Sequence, residues 1–162
     1  MKRLLNLLPA ISLAVAMLAS HPAAAAADAV TVVATINGGG TALMTSPPGG
    51  LPGFKNVSSF GIHATLYSDG TATGHVDCVD LQGDVSKGNI FGEVTRWSQS
   101  AYGLTLWVTG NLVSGSDNDP TSFPLTIQTF GGAGVGHWTL GKLSSPFCVE
   151  LLLSGQLVER LS

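Results

Sequence analysis

Between Phe60 and Cys78 the chain alternates apolar and polar positions with a period of two, once on each side of a turn. In the first arm Phe60, Ile62, Ala64 and Leu66 alternate with Gly61, His63, Thr65 and Tyr67. In the second, Ala72, Gly74, Val76 and Cys78 alternate with Thr71, Thr73, His75 and Asp77. A period of two with one apolar face is the pattern of a half-buried strand. Ser68-Asp69-Gly70 joins the arms, and Asp-Gly is a strong hairpin signal. A two-residue loop would set Ile62 against Asp77. A three-residue loop pairs Tyr67 with Thr71, Leu66 with Ala72, Ile62 with Val76 and Phe60 with Cys78. Since a one-residue slip turns every side chain to the other face, the pattern selects the three-residue loop. Gly70 then supplies the left-handed position.

The same reading extends along the chain. Val30 to Ile36 is a strand with Val30, Val32, Ala34 and Ile36 on one face; Gly38-Gly39-Gly40 breaks it, and Thr41 to Thr45 resumes. Ser46 to Gly53 is a loop by composition, with Phe54 pinning the chain beyond it. The hairpin's second arm runs on through Val79 and Leu81 to a turn over Gly83 to Gly88. Asn89 to Ser98 and Tyr102 to Val113 are the next strands, and Trp97 and Trp107 fall on the less aliphatic face of each. Ser114 to Pro120 is an acidic loop. Phe123 to Phe130 alternates again, with Pro124 marking a strand start or an edge. Gly131 to Gly136 is a flexible loop, followed by a short strand over His137 to Leu140 and a turn over Ser144 to Pro146. Phe147 to Leu153 and Gly155 to Leu161 form a final extended stretch with a bulge at Gly155. No helical periodicity appears after the amino terminus. About eight strands separated by glycine turns predict an all-β fold, a single antiparallel barrel or sandwich, with the barrel favoured.

The amino terminus changes the picture of where this domain works. Lys2 and Arg3 precede an apolar run from Leu4 to Ala19, and the small residues Ala23 to Ala27 follow. This is the pattern of a cleaved export signal, residues 1–27, ahead of a β domain over 28–162. The run is short for a membrane anchor, which needs about 20 apolar residues. The remaining chain of about 135 residues fits one domain. It carries ten acidic residues against five basic ones and no basic patch, so nucleic acid is not an expected partner. No stable membrane span is expected after cleavage, and an outer-membrane barrel is disfavoured by the short strands. Cys78 and Cys148 are expected to pair in an oxidising, periplasmic or extracellular setting. A bridge closing about 70 residues stabilises by roughly 4 kcal/mol in the chain-entropy account.

Candidate chemistry is sparse. The hairpin register sets His63 opposite His75, with Asp77 one pair further along the same polar face, and directly opposed Cβ atoms lie roughly 5 Å apart. Imidazoles and a carboxylate at that spacing suit zinc or copper. His137 completes a three-histidine set if the glycine-rich loop before it folds over the hairpin. The competing reading is solvated histidines on the outside of a sheet. Asp117, Asn118 and Asp119 offer oxygens to a hard cation, but lack the spacing of a calcium loop. Glu93, Glu150 and Glu159 are isolated, and no serine-nucleophile or nucleotide-loop motif is present. Trp97, Trp107 and Trp138 suit either a sugar-binding face or ordinary packing.

Two blocks, SFGIHATLYSDGTATGHVDC after a GGGT segment and CVDLQGDVSKGNIFGEVT, resemble small exported bacterial β-domain proteins, mostly of uncharacterised function. The resemblance spans about Asn37 to Thr95 and implies an exported antiparallel β domain, with no catalytic residues to carry over. The expectation is therefore an exported, non-enzymatic binding or structural protein whose partner is a small ligand, a glycan or another protein. The alternatives are a metal-binding protein or small metal-dependent enzyme using His63, His75, Asp77 and His137, and a carrier of an apolar ligand inside a barrel.

Overall fold

The computed structural model describes residues 28–45, 55–81, 89–113 and 120–162. The expected export signal, the 46–54 loop with Phe54, the turn over 83–88 and the acidic residues 117–119 lie outside the described residues. The described residues form nine strands and no helix: β1 Val32–Thr45, β2 Lys55–Tyr67, β3 Ala72–Asp80, β4 Asn89–Ser100, β5 Gly103–Val113, β6 Pro120–Thr129, β7 His137–Lys142, β8 Ser145–Leu152 and β9 Gln156–Leu161. Neighbours in sequence pair antiparallel from β1 to β8, and β1 pairs back onto β8. The result is a closed eight-stranded antiparallel barrel with β9 as an added strand along β1. Among the described residues no helix is long and apolar enough to cross a membrane.

The hairpin forms as its pattern requires. Leu66 pairs with Ala72, Ile62 with Val76, His63 with His75 and Phe60 with Cys78. Gly70 adopts φ +82°. Asp69 Oδ1 accepts hydrogen bonds from Thr71 N at 2.9 Å and Thr71 Oγ1 at 2.6 Å, which hold its carboxyl below the ordinary value. The inward positions of all strands meet in one core that includes Ile36, Leu66, Leu106, Ile127, Leu140 and Leu157. Outward positions on β2 to β4 are mostly polar, among them His63, Thr65, Thr73, His75, Glu93 and Thr95, with Phe91 an exposed exception. A membrane barrel needs the reverse, an apolar outward band.

Several local details depart from simple alternation through an extra residue, and three of them set the core and the closure. A shift between Val32 and Ala34 turns Val33 to the core and leaves Val32 outside. A second shift, between Val94 and Arg96, sets Trp97 opposite the inward Leu106. Trp97 therefore packs on the core, and its Nε1 donates to Tyr67 O at 2.8 Å, rather than lying on the outer face with Trp107. Pro124 lies inside β6, next to where the β6–β7 ladder starts at Leu125, so its missing N–H leaves no β7 partner unmet.

The third detail closes the barrel. The glycine triplet does not break β1, which runs unbroken through Gly38, Gly39 and Gly40. A Cβ at the inward Gly38 would come within 2.6 Å of Leu157 Cδ2 and 2.9 Å of Ile62 Cγ2, so the strand keeps its path only without a side chain there. Opposite it, Leu153, Ser154 and Gly155 face only Gly40 and Thr41. Thr41 O accepts from both Leu153 N (2.9 Å) and Ser154 N (3.1 Å), and Thr41 Oγ1 lies 2.7 Å from Ser154 Oγ. This is a β-bulge, and it hands the edge of β1 from β8 to β9. Gly155 takes φ +77°, and a Cβ there would sit against Gly39 O. The loop over Gly131 to Gly136 docks on the same bend: Gly131 N donates to Leu157 O and Gly134 N to Gly155 O, both at 2.9 Å.

Gly155→Ala is expected to lower unfolding free energy by about 2 kcal/mol or more, from a left-handed backbone and a steric conflict together. Gly132→Ala, with no atom within 4 Å of the added carbon, is the control and should change it by less than about 0.5 kcal/mol. Urea titration of both variants checks this.

Candidate functional site

The outward face of β1 to β5 assembles most of the chain's chemistry into rows. Cross-strand pairing aligns Asn37, His63, His75, Glu93 and Thr109 on five successive strands. The next row holds Gly39, Gly61, Asp77 and Phe91. Same-face residues two apart on a strand are about 7 Å apart, and adjacent strands about 4.8 Å. The His63 and His75 ring centroids are 6.3 Å apart and tilted by 43°. His63 Nδ1 lies 2.8 Å from Asn37 Oδ1, and in the Nδ1–H tautomer it donates to that oxygen. Asp77 leans over Gly61: a Cβ built there would lie 2.7 Å from Asp77 Oδ1. Beside these rows lies an open groove of about 500 Å³ bounded by His75, Asp77, Phe91, Glu93 and Thr109, with Gly92 and Gly110 at its base.

Sequence reasoning found His63, His75 and Asp77 on one face. It did not bring Phe91, Glu93 and Thr109 to them. Eight residues separate Asp80 from Asn89 in the sequence, too many for a two- or three-residue hairpin loop to count the pairs, so the register of β4 on β3 is not fixed by the pattern. The alternation that puts Phe91 and Glu93 on one face of β4 was the available signal.

His137 is elsewhere. It pairs with Leu151, which pairs with Leu43 of β1, whereas His63 pairs with Asn37. Six residues of β1 separate the two positions, about 20 Å along the strand. The loop before His137 folds over the β8–β9 bend and not over the hairpin, so the three histidines are not brought together. Among the described residues no group of three or more His, Cys, Asp or Glu side chains is placed to hold a metal ion. Burial lowers the His137 pKa below its ordinary value. Trp107 carries the Arg96 guanidinium 5.2 Å from its ring centre, and Trp138 is fully buried, 5.2 Å from the Phe60 ring.

A second polar group lies inside the barrel. Glu150, which the sequence shows only as an isolated acid in an apolar strand, is fully buried. Ser58 Oγ donates to its Oε2 at 2.7 Å, and Cys78 Sγ donates to its Oε1 at 3.4 Å. Asn56 Nδ2 donates to buried Asp80 at 3.2 Å. Cys78 carries a free thiol, and the side chain of Cys148 lies outside the described residues. Burial first, and the Glu150 carboxylate second, push the Cys78 thiol far above its ordinary pKa, so it is not a nucleophile. Buried together and hydrogen-bonded to one another, Glu150, Ser58 and Cys78 have the character of a core hydrogen-bond network.

Comparison with known proteins finds no matching family model, no matching curated protein and no matching solved structure.

Two outcomes follow from this geometry. Ser58→Ala leaves a buried carboxylate oxygen without its 2.7 Å donor and should cost about 1–3 kcal/mol in denaturant unfolding. For His137, the neutral form is favoured in the fold. Stability is therefore full above the unfolded value near 6.5 and falls as pH drops through the lower folded value. His137→Gln should show a smaller loss of stability than wild type between about pH 7.5 and pH 5, read from urea midpoints.

Proposed function

We propose that this is an exported, non-catalytic binding protein, periplasmic or extracellular, that holds its ligand on the outside of the barrel. The observation that carries this reading is the β3–β5 groove. There, two carboxylates, an imidazole, a threonine and an aromatic ring face one solvent-accessible space. The barrel interior supports the same choice. Its inward positions are filled by side chains such as Trp138, Leu104, Leu106 and Leu125, which weighs against an apolar cargo among the described strands. In this reading Cys78 pairs with Cys148 once the chain reaches an oxidising compartment, and the thiol described above is the reduced form.

A second reading rests on the His63–His75 pair. Two cross-strand imidazoles at 6.3 Å, one of them oriented by Asn37, need only a rotamer change to chelate zinc or copper through their free nitrogens. Water or a second chain would complete the coordination.

Native mass spectrometry of the protein purified from an exporting host, without tag histidines, tests both. A non-covalent organic adduct on the wild type that is lost from a Phe91→Ala/Glu93→Gln variant supports the groove. An adduct indifferent to that variant, or a bare protein after exposure to host envelope extract, counts against it. Added zinc retained by wild type and lost from His75→Ala supports the metal reading. The same spectrum reports the cleavage point and the two-hydrogen difference of a disulfide.

A further inference from the structure

The geometry points to a neutral carbohydrate as the ligand of the β3–β5 groove, an inference that rests on the groove being the binding site. Phe91 is the open aromatic face: it is 48% exposed, although it sits in the middle of a sheet. Trp107, the other outward aromatic on the adjoining strand, has its ring covered by Arg96. Phe91 pairs directly with Asp77, and Glu93 follows it on the same face. Asp77 and Glu93 are therefore diagonal neighbours, their backbone positions about 7–8 Å apart, one across from the ring and one along from it, with the Asp77 carboxylate leaning over Gly61. His75 and Thr109 flank Glu93 on its two neighbouring strands.

This set matches what a sugar ring presents. One face of a pyranose is a patch of C–H groups, which packs on an aromatic plate. Its rim is a ring of hydroxyls, and carboxylates accept hydrogen bonds from hydroxyls more strongly than neutral groups do. Threonine and histidine add groups that both donate and accept. The excluded ligands are as informative. None of the groove-lining residues is Lys or Arg, and the two acids repel phosphate, sulfate and uronate groups. Its one aliphatic lining residue, Val76, is buried in the core, so a lipid chain has little beyond one aromatic to bury against. The volume, about 500 Å³, is in the range of pockets that take small ligands, and the groove is open to solvent, so a longer chain is free to extend out of it.

The test is a titration of isotope-labelled protein with a panel of neutral oligosaccharides built from glucose, mannose, galactose and N-acetylglucosamine, followed by amide NMR and calorimetry. At least one should shift the amides of Asp77, Phe91, Gly92, Glu93 and Thr109 at millimolar concentration. Phe91→Ala should weaken that binding about tenfold or more, and Phe91→Tyr should restore it, since only the plate is needed. If no sugar shifts these amides but a lysine-rich peptide does, the groove binds cations and the carbohydrate inference falls while the site stands. If a sugar binds equally well to Phe91→Ala and shifts amides elsewhere, both the ligand class assigned to this groove and the site fall. If neither probe shifts any groove amide in a variant-sensitive way, the carbohydrate inference is overturned.

Discussion

Everything in this molecule depends on β1 being hydrogen-bonded along both edges. One edge takes β2 for its whole length. The other takes β8 for four residues and β9 for six, with the bulge at Leu153 to Gly155 between them. Without that second edge the other strands form an open sheet whose inward residues face water. A closed barrel has no free edges to protect, and its inward positions can be filled completely. The closing contacts join residues more than a hundred positions apart in the chain, as Thr41 and Ser154 do. Such pairing is entropically late and topologically slow, and the hand-over between its two ladders rests on hydrogen bonds around one carbonyl, Thr41 O.

Closure also divides the chemistry of the chain. Inside, the buried acids have partners, as Glu150 meets Ser58 and Cys78 and Asp80 meets Asn56. Outside, the pleat sets side chains from successive strands in straight rows, and a row gathers residues that no local motif connects. Asn37, His63, His75, Glu93 and Thr109 span more than seventy positions of sequence and one line on the surface. The groove beside them is a property of the sheet and not of any one strand.

That division explains how much was legible beforehand. The β2–β3 hairpin was read to the residue, because a tight loop and a single apolar face together count the register. The all-β class and most strands followed from alternation. Trp97 was misplaced because one extra residue at Thr95 reverses the faces beyond it, and bulges carry no reliable mark in sequence. The triple glycine was read as a break because glycine interrupts strands in general. Here it answers a need that arises only in three dimensions, the close passage of Leu157 and Ile62. The glycine-rich loop before His137 looked unconstrained for the same reason: its partners, Gly155 and Leu157, lie some twenty residues later. Bringing Phe91 and Glu93 to His75 required the register across a long connection, which no turn chemistry specifies.

The closing strand raises a counting problem of its own. Val149, Leu151 and Leu152 make it apolar on both faces, and Leu151 is 43% exposed where it stands. For such a strand the hydrophobic effect is nearly indifferent to a shift by one residue, since either face would serve as the inner one. Glu150 is not indifferent. Only in the observed alignment does its carboxylate meet the hydroxyl of Ser58 and the thiol of Cys78; one step either way sends it to the outside and strands those donors in the core. A charge that contributes little to net stability can thus act as the index mark by which the last strand finds its place, which is a reason for a protein to keep an acid at the centre of its driest wall.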